Sequence, residues 1–195
     1  MILVDFRDGS KELLKPLQKL GLPATSGDIP ADLAWEGRGV KGAPVLIGVE
    51  YKKLGELVQS LRTERLQGHQ LPKMRDNFDF SYLLVEGELH YDRQGQLLKR
   101  VGKRDFRRIP GQMSVSELLK RLFTLHLAGG LNVLPFARTQ ADTLQTVAAL
   151  YRTWTDKDLD QHKSHIAIYQ PPTLTPISEF RKMFKGIDGL GIETT

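Results

Sequence analysis

The chain has 195 residues, 28 Lys and Arg against 23 Asp and Glu, a net charge of +5 and no cysteine. The length suits one domain with a small appendage, and 40% hydrophobic with 26% charged residues can build a core. Lack of cysteine excludes disulfides, thiolate zinc sites and cysteine nucleophiles. No run of 18 apolar residues predicts a membrane span. No secretory leader is visible at Met1-Ile2-Leu3-Val4, so a cytoplasmic or, in a eukaryote, nuclear location is expected. The positive charge favours a polyanionic partner.

In chain order, Ile2–Phe6 reads as a short buried strand. From Ser10 the apolar residues Leu13, Leu14, Leu17 and Leu20 recur at helical spacing until Gly21. Pro23, Gly27 and Pro30 mark a loop, and Ala31 to Glu36 a strand. Gly37 to Gly42 reads as a turn into a second strand, Val45 to Tyr51, followed by a helix carrying Leu54, Leu57, Val58 and Leu61. Tyr82 to Val85 is a further strand. Leu89-His90-Tyr91 and Gln96-Leu97-Leu98 flank Asp92–Gly95 as a hairpin. Lys99 to Arg108 holds six basic residues in ten. Ser114 with Glu117 three residues later is a capping-box pattern that opens a helix, ended by Gly129-Gly130. Asn132 to Phe136 predicts a last strand and Thr139 to about Trp154 a last helix. Strands alternating with helices, with one antiparallel hairpin among them, predict an α/β fold: a central mixed sheet flanked by helices. The domain is expected over 1–156, a Pro-rich linker over 157–176 and a separate C-terminal segment over 177–195.

The chemistry concentrates at the end of the second strand. Residues two apart on a strand face the same way, so Glu50 and Lys52 project together, with Gly48 leaving room beside them. A hairpin centred near Lys41 places Asp32 opposite Glu50, whereas Asp28, the alternative, falls opposite Leu54 beyond the strand end. Two carboxylates within reach repel unless a cation lies between them. A hard divalent ion suits them, and Mg²⁺ (or Mn²⁺) accepts one or two carboxylates together with phosphate and water. Such an ion acts as a Lewis acid and lowers the pKa of water, and a neighbouring Lys stabilises charge on a scissile phosphate. This is a phosphodiester-hydrolysis pattern. The ordinary alternative is a solvated, salt-bridged strand edge. Trp35, on the opposite face to Asp32, and Trp154 read as core.

Several segments in order resemble one family. Val4-Asp5-Phe6-Arg7-Asp8 resembles the V-D-x-R-E opening of the XPF-type (ERCC-type) nuclease domain, and Val49-Glu50-Tyr51-Lys52 its V-E-R-K centre. Leu57 to Gln70, with Ser60-Leu61, Arg65-Leu66 and Gln70, resembles the helix that follows there. Tyr82 to Gly87 and Leu131-Asn132-Val133 resemble the later strands, so the likeness spans about residues 2–155. It implies a restriction-endonuclease-like fold of the PD-(D/E)xK superfamily, with Asp5, Asp32 and Glu50 as metal ligands. Asp32, Glu50 and Lys52 would be catalytic, and Arg7 and Arg65 would contact DNA. It also implies cleavage of branched DNA (flaps, forks, junctions) by a homo- or heterodimer, with no membrane involved. A catalytically silent DNA-binding module and a restriction or junction-resolving nuclease are the alternatives. Tyr51 replaces the family's Arg, Glu56 its Asp and Asp8 its Glu, which puts substrate handling near Tyr51 in question. Lys103, Arg104, Arg107 and Arg108 are candidate phosphate contacts. Ile187-Asp188-Gly189-Leu190-Gly191 resembles the hairpin of a helix-hairpin-helix element, in which backbone amides around Gly189 and Gly191 would hold a phosphate.

Overall fold

The computed structural model describes residues 1–7, 9–102, 105–110 and 113–162. Six strands form one sheet in the order β2-β1-β3-β4-β5-β9. These are β1 (Ile2–Asp5), β2 (Ala24–Gly27), β3 (Leu33–Arg38), β4 (Pro44–Lys53), β5 (Phe80–Glu86) and β9 (Leu131–Val133). β3 is antiparallel to β1 and β4, and the remaining pairings are parallel. β3 therefore begins at the edge of the sheet where β1 and β4 end, and residues from all three strands meet there. A second sheet of three short antiparallel strands holds β6 (His90–Tyr91), β7 (Leu97–Arg100) and β8 (Phe106–Arg108).

The helices cover both faces of the large sheet. The fold is the mixed α/β architecture expected. On one face, α1 (Leu14–Lys19) and α5 (Gln140–Thr155) pack Leu17, Val147 and Trp154 onto Val4, Ile47, Val49 and Tyr51. On the other, α2 (Leu54–Arg62), α3 (Leu71–Asn77) and α4 (Val115–Leu127) enclose Leu83, Val85 and Leu131. The central part of β4 is buried on both sides, as a strand between two helical layers must be. Trp35 and Trp154 are core residues, as their spacing predicts. Ser114 caps α4 by accepting from the Glu117 amide at 3.1 Å, and Thr139 caps α5.

Several local expectations are corrected. The segment read as a loop at Pro23 to Pro30 contains β2, which is held as a strand by parallel pairing with β1. β3 runs on through Gly37 to Arg38, held by pairing with Val45 and Pro44 of β4, and a Cβ at position 37 would meet the Trp154 Cβ at 3.0 Å. The turn is correspondingly tight, Val40–Gly42, with Lys41 and Gly42 at positive φ. The single helix expected after the site is broken: α2 ends at Arg62, Glu64 has φ +57°, and a π-helical turn over Leu66–Gln70 leads into α3. The basic run contains a strand, β8, supported by β7. After α5, Asp158 binds Arg38 and Asp160 accepts from the Lys41 amide, which ties residues 158–160 to the β3–β4 turn. The rest of the expected linker from residue 163, and the segment 177–195 with Gly189 and Gly191, lie outside the described residues, as do Asp8, Lys103 and Arg104.

Candidate active site

The β3–β4 register pairs Leu33 with Val49 and Ala34 with Gly48, so the next pair along is Asp32 and Glu50. The Asp32 amide donates to the Val49 carbonyl at 3.1 Å, which continues the ladder. On the other side Val4 pairs with Leu33, and the Asp5 amide donates to the Asp32 carbonyl at 2.9 Å. Asp5, Asp32 and Glu50 thus stand in one row across three neighbouring strands, which lie about 4.8 Å apart. Directly paired residues project to the same face. Val4, Leu33 and Val49 go into the α1–α5 core, so the three acids face the α2–α3 side. The hairpin register read from sequence is the one observed. It places Asp32, not Asp28, in this row.

Asp5 and Glu50 are buried, at 4% and 3% exposed. Lys52 Nζ and Gln70 Nε2 both donate to Glu50 Oε1. Burial pushes the Glu50 carboxyl up to about 7; the negative Asp32 beside it adds to the rise and Lys52 opposes it. Burial likewise raises Asp32, against the Tyr51 amide, which donates to its Oδ2 at 2.8 Å, and the charge of Lys52. Asp5 Oδ2 accepts from Arg7 Nε at 2.5 Å, and Arg7 also reaches the Ile29 carbonyl. Asp5 Oδ1 is buried without a hydrogen-bond partner. The row opens into a cleft of about 650 Å³, lined also by Arg7, Lys53, Gln59, Arg65, His69 and Lys73. The π-helical turn swings this wall inward: Arg65 immediately precedes it, and His69 and Gln70 end it. π-turns within helices recur at functional sites.

The residues fit a hard cation. All donors in the row are carboxylate oxygens, two of the acids are raised or held against repulsion, and one buried oxygen is free. Among the described residues no three acidic or histidine side chains already close around a common point, so water and phosphate oxygens would complete the sphere, as Mg²⁺ prefers.

The structure brings Asp5, Arg7, Asp32, Glu50, Lys52 and Arg65 into one cleft. It does not bring Arg107 or Arg108 there; both lie on β8. Gly48 does not leave open space beside Glu50: its position is covered by Phe78, whose ring a Cβ would meet at 2.3 Å. Tyr51 does not approach the cleft with its ring. That side chain enters the opposite layer and donates to Glu86 at 2.9 Å, alongside Thr143 at 2.7 Å. Sequence reasoning leaves Gln70 out of the site set. Its spacing from Arg65 and His69 was the available signal, but the bond to Glu50 depends on the π-turn.

The ERCC4 domain profile matches residues 17–150. The chain belongs to the ERCC4 domain family. XPF from Aeropyrum pernix has the same fold, with a TM-score of 0.55 and 19% identity over 97% of this chain and 76% of that one. The same protein solved in complex with DNA gives 0.56 and 18%, over 97% and 75%. No curated protein matches. The resemblance to an XPF-type nuclease domain therefore holds, although the opening Val4–Arg7 motif precedes the matched residues. Here the sheet itself places that motif, because β1 lies beside β3. Membership of the ERCC4 family points to a structure-specific DNA endonuclease, and nucleases of this family generally use a divalent metal.

Proposed function

We propose that this ERCC4 domain is a divalent-metal-dependent endonuclease that cuts branched DNA. One observation carries the reading. Asp5, Asp32 and Glu50 form a row of acids across three strands, with Lys52 on the same face, at the mouth of a cleft with basic walls. Asp5, Asp32 and Glu50 would hold Mg²⁺ or Mn²⁺, which when bound polarises the phosphate and lowers the pKa of water. Gln70 and Lys52 both hold Glu50 Oε1, and the charge of Lys52 would stabilise the developing oxyanion. Arg65 and Arg7 stand at the cleft walls to receive the flanking phosphates. Tyr51, turned into the core, takes no part in substrate handling. The solved relative bound to DNA supports a DNA substrate.

A stripe on α4 supports pairing with a second nuclease-fold subunit. Leu119, Phe123 and Leu127 recur every four residues and are 37%, 60% and 82% exposed. Exposed apolar rows of this kind mark interfaces. Substituting Phe123→Glu is expected to shift the protein to monomer in light scattering.

The alternative reading, a silent DNA-binding module, has its own observation: Arg7 and Lys52 already neutralise Asp5 and Glu50. The two are separated by cleavage of labelled 3′-flap, fork, Holliday-junction and plain duplex DNA with Mg²⁺ or Mn²⁺, wild type against Glu50→Ala. Metal-dependent cutting that prefers branched DNA and disappears in the variant supports the nuclease. Binding without cutting in either metal supports the silent module. Cutting of unbranched duplex at fixed sequences would instead indicate a restriction-type enzyme.

A further inference from the structure

We propose that Arg65, His69 and Lys73 form one phosphate track along the helical wall of the cleft, which grips about three successive phosphates of the strand to be cut. The inference rests on reading the cleft as a DNA-cutting site. It adds His69 and Lys73 to that reading, and it gives the track a length and a position relative to the acids.

All three side chains line the cleft and are exposed to solvent. They recur every fourth residue on one continuous helical stretch, from Arg65 through the π-helical turn into α3. In an α-helix each residue turns about 100°, so positions four apart drift round the axis by about 40° at each step. The i→i+5 bonding of a π-turn widens the helix and turns each residue through less, which straightens the row along one wall. The π-turn therefore does more than carry Gln70 to Glu50. From Arg65 to Lys73 the row spans about 10–12 Å of helix axis, the rise of about three nucleotides along one strand. Gln70, bonded to Glu50, sits between His69 and Lys73 in this stretch. The track thus passes the acids, with Arg65 and His69 to one side along the helix and Lys73 to the other.

Charge separates this wall from the rest of the cleft. Arg7 is bound to Asp5, Lys52 to Glu50 and Lys53 to Glu12. Among the described residues, the side chains of Arg65, His69 and Lys73 form no ion pair and no hydrogen bond. Arg65 acts on Glu50 through its charge alone. The other acids that line the cleft, Glu12 and Glu56, are both engaged by Lys53, through its ammonium and its amide. Phosphate oxygens accept from guanidinium, ammonium and imidazole N–H groups alike, and an imidazole has an N–H to give in either charge state. Three unpaired donors at regular spacing beside the acids suit a continuous backbone. Arg75 supplies the contrast: it is an exposed cation on the same helix, two residues from Lys73, and it does not line the cleft.

The test uses the full chain with EDTA present, so that binding is read without cleavage, and a fluorescent DNA fork. The double variant Arg65→Gln with Lys73→Gln is expected to weaken binding about tenfold or more and to lower the slope of log affinity against log salt by about 1.8. His69→Ala is expected to weaken it about threefold. Arg75→Gln removes the same charge outside the cleft and should change affinity by less than about twofold. Single methylphosphonate linkages, which remove one phosphate charge at a time, locate the track. About three consecutive positions on one strand near the branch should each weaken wild-type binding, and one of them should cost nothing further in Lys73→Gln. All four positions are exposed, so melting temperatures should match the wild type; if the double variant unfolds, Lys73→Gln against Arg75→Gln decides the matter. Wild-type affinity and salt slope in the double variant would overturn the proposal, even if the protein cuts forks. An equal loss in Arg75→Gln would also overturn it, because net charge would then act without a track. If the wild type cuts no DNA but shows the expected pattern of losses, the nuclease reading falls and the track stands.

Discussion

Glu50 and Tyr51 are neighbours in the chain, and they place carboxylates in two opposite situations. On the cleft side, Glu50 is buried beside Asp32, shares one oxygen between Lys52 and Gln70, and has its carboxyl pushed up to about 7. On the core side, the Tyr51 hydroxyl reaches Glu86, which also accepts from Thr143. Both are polar groups inside one α/β domain. The core-side carboxylate is satisfied by two neutral hydroxyl donors, which suits a structural role. The cleft-side carboxylate is set against another acid, an arrangement that a folded protein keeps only where a ligand or a reaction uses it. Acids in frustrated pairs that face solvent are therefore the signal to follow, and buried acids with complete hydrogen bonding are not.

The largest effect that tests this contrast is on cleavage. Glu50→Gln is expected to reduce metal-dependent single-turnover cutting by about a hundredfold or more and to leave the melting temperature of the metal-free protein unchanged or higher, because it removes one of two repelling charges. A marked loss of stability would place Glu50 with Glu86 as a structural acid. The pH dependence of the metal-free fold comes next. The folded Glu50 carboxyl holds its proton up to about 7, against an ordinary 4.5. The folded state therefore binds more proton than the unfolded state in that window, and stability falls as pH rises through it. Melting scans from pH 4 to 8 should show that fall, flattened in Glu50→Gln and reduced by saturating Mg²⁺. A third test reaches the packing on β4 two residues before Glu50: Gly48→Ala drives a Cβ into the Phe78 ring and is expected to destabilise by about 1–3 kcal/mol in urea unfolding. The smallest effect belongs to the core side. Tyr51→Phe removes one donor from Glu86 and is expected to cost about 1 kcal/mol, with cleavage per folded molecule unchanged. A large drop in cutting would restore a substrate role for Tyr51.

Much of the site was legible because strand geometry has a short period. The alternation along Gly48, Glu50 and Lys52, together with a hairpin centred near Lys41, was enough to pair Asp32 with Glu50 and to set Asp28 aside. The family resemblance supplied Asp5, which no hairpin argument could reach, since β1 and β3 are joined by no turn. Gln70 was hidden because its approach depends on a π-helical turn after Glu64, whose positive φ no periodicity announces. The role of Gly48 was misread for a similar reason: Phe78 is thirty residues away in the chain.

By itself, the sequence determined the α/β class, the antiparallel register of β3 and β4, the cap at Ser114, and the face on which Glu50 and Lys52 lie. These follow from neighbours in the chain, from periods of 2 and 3.6, and from turn residues with fixed backbone preferences. Only the tertiary structure decided that Ala24–Gly27 is a strand, that Tyr51 turns to Glu86 and Thr143, and that Arg65, His69 and Gln70 wall the cleft. Each of these depends on contacts between distant segments, where burial and hydrogen-bond pairing override local preference.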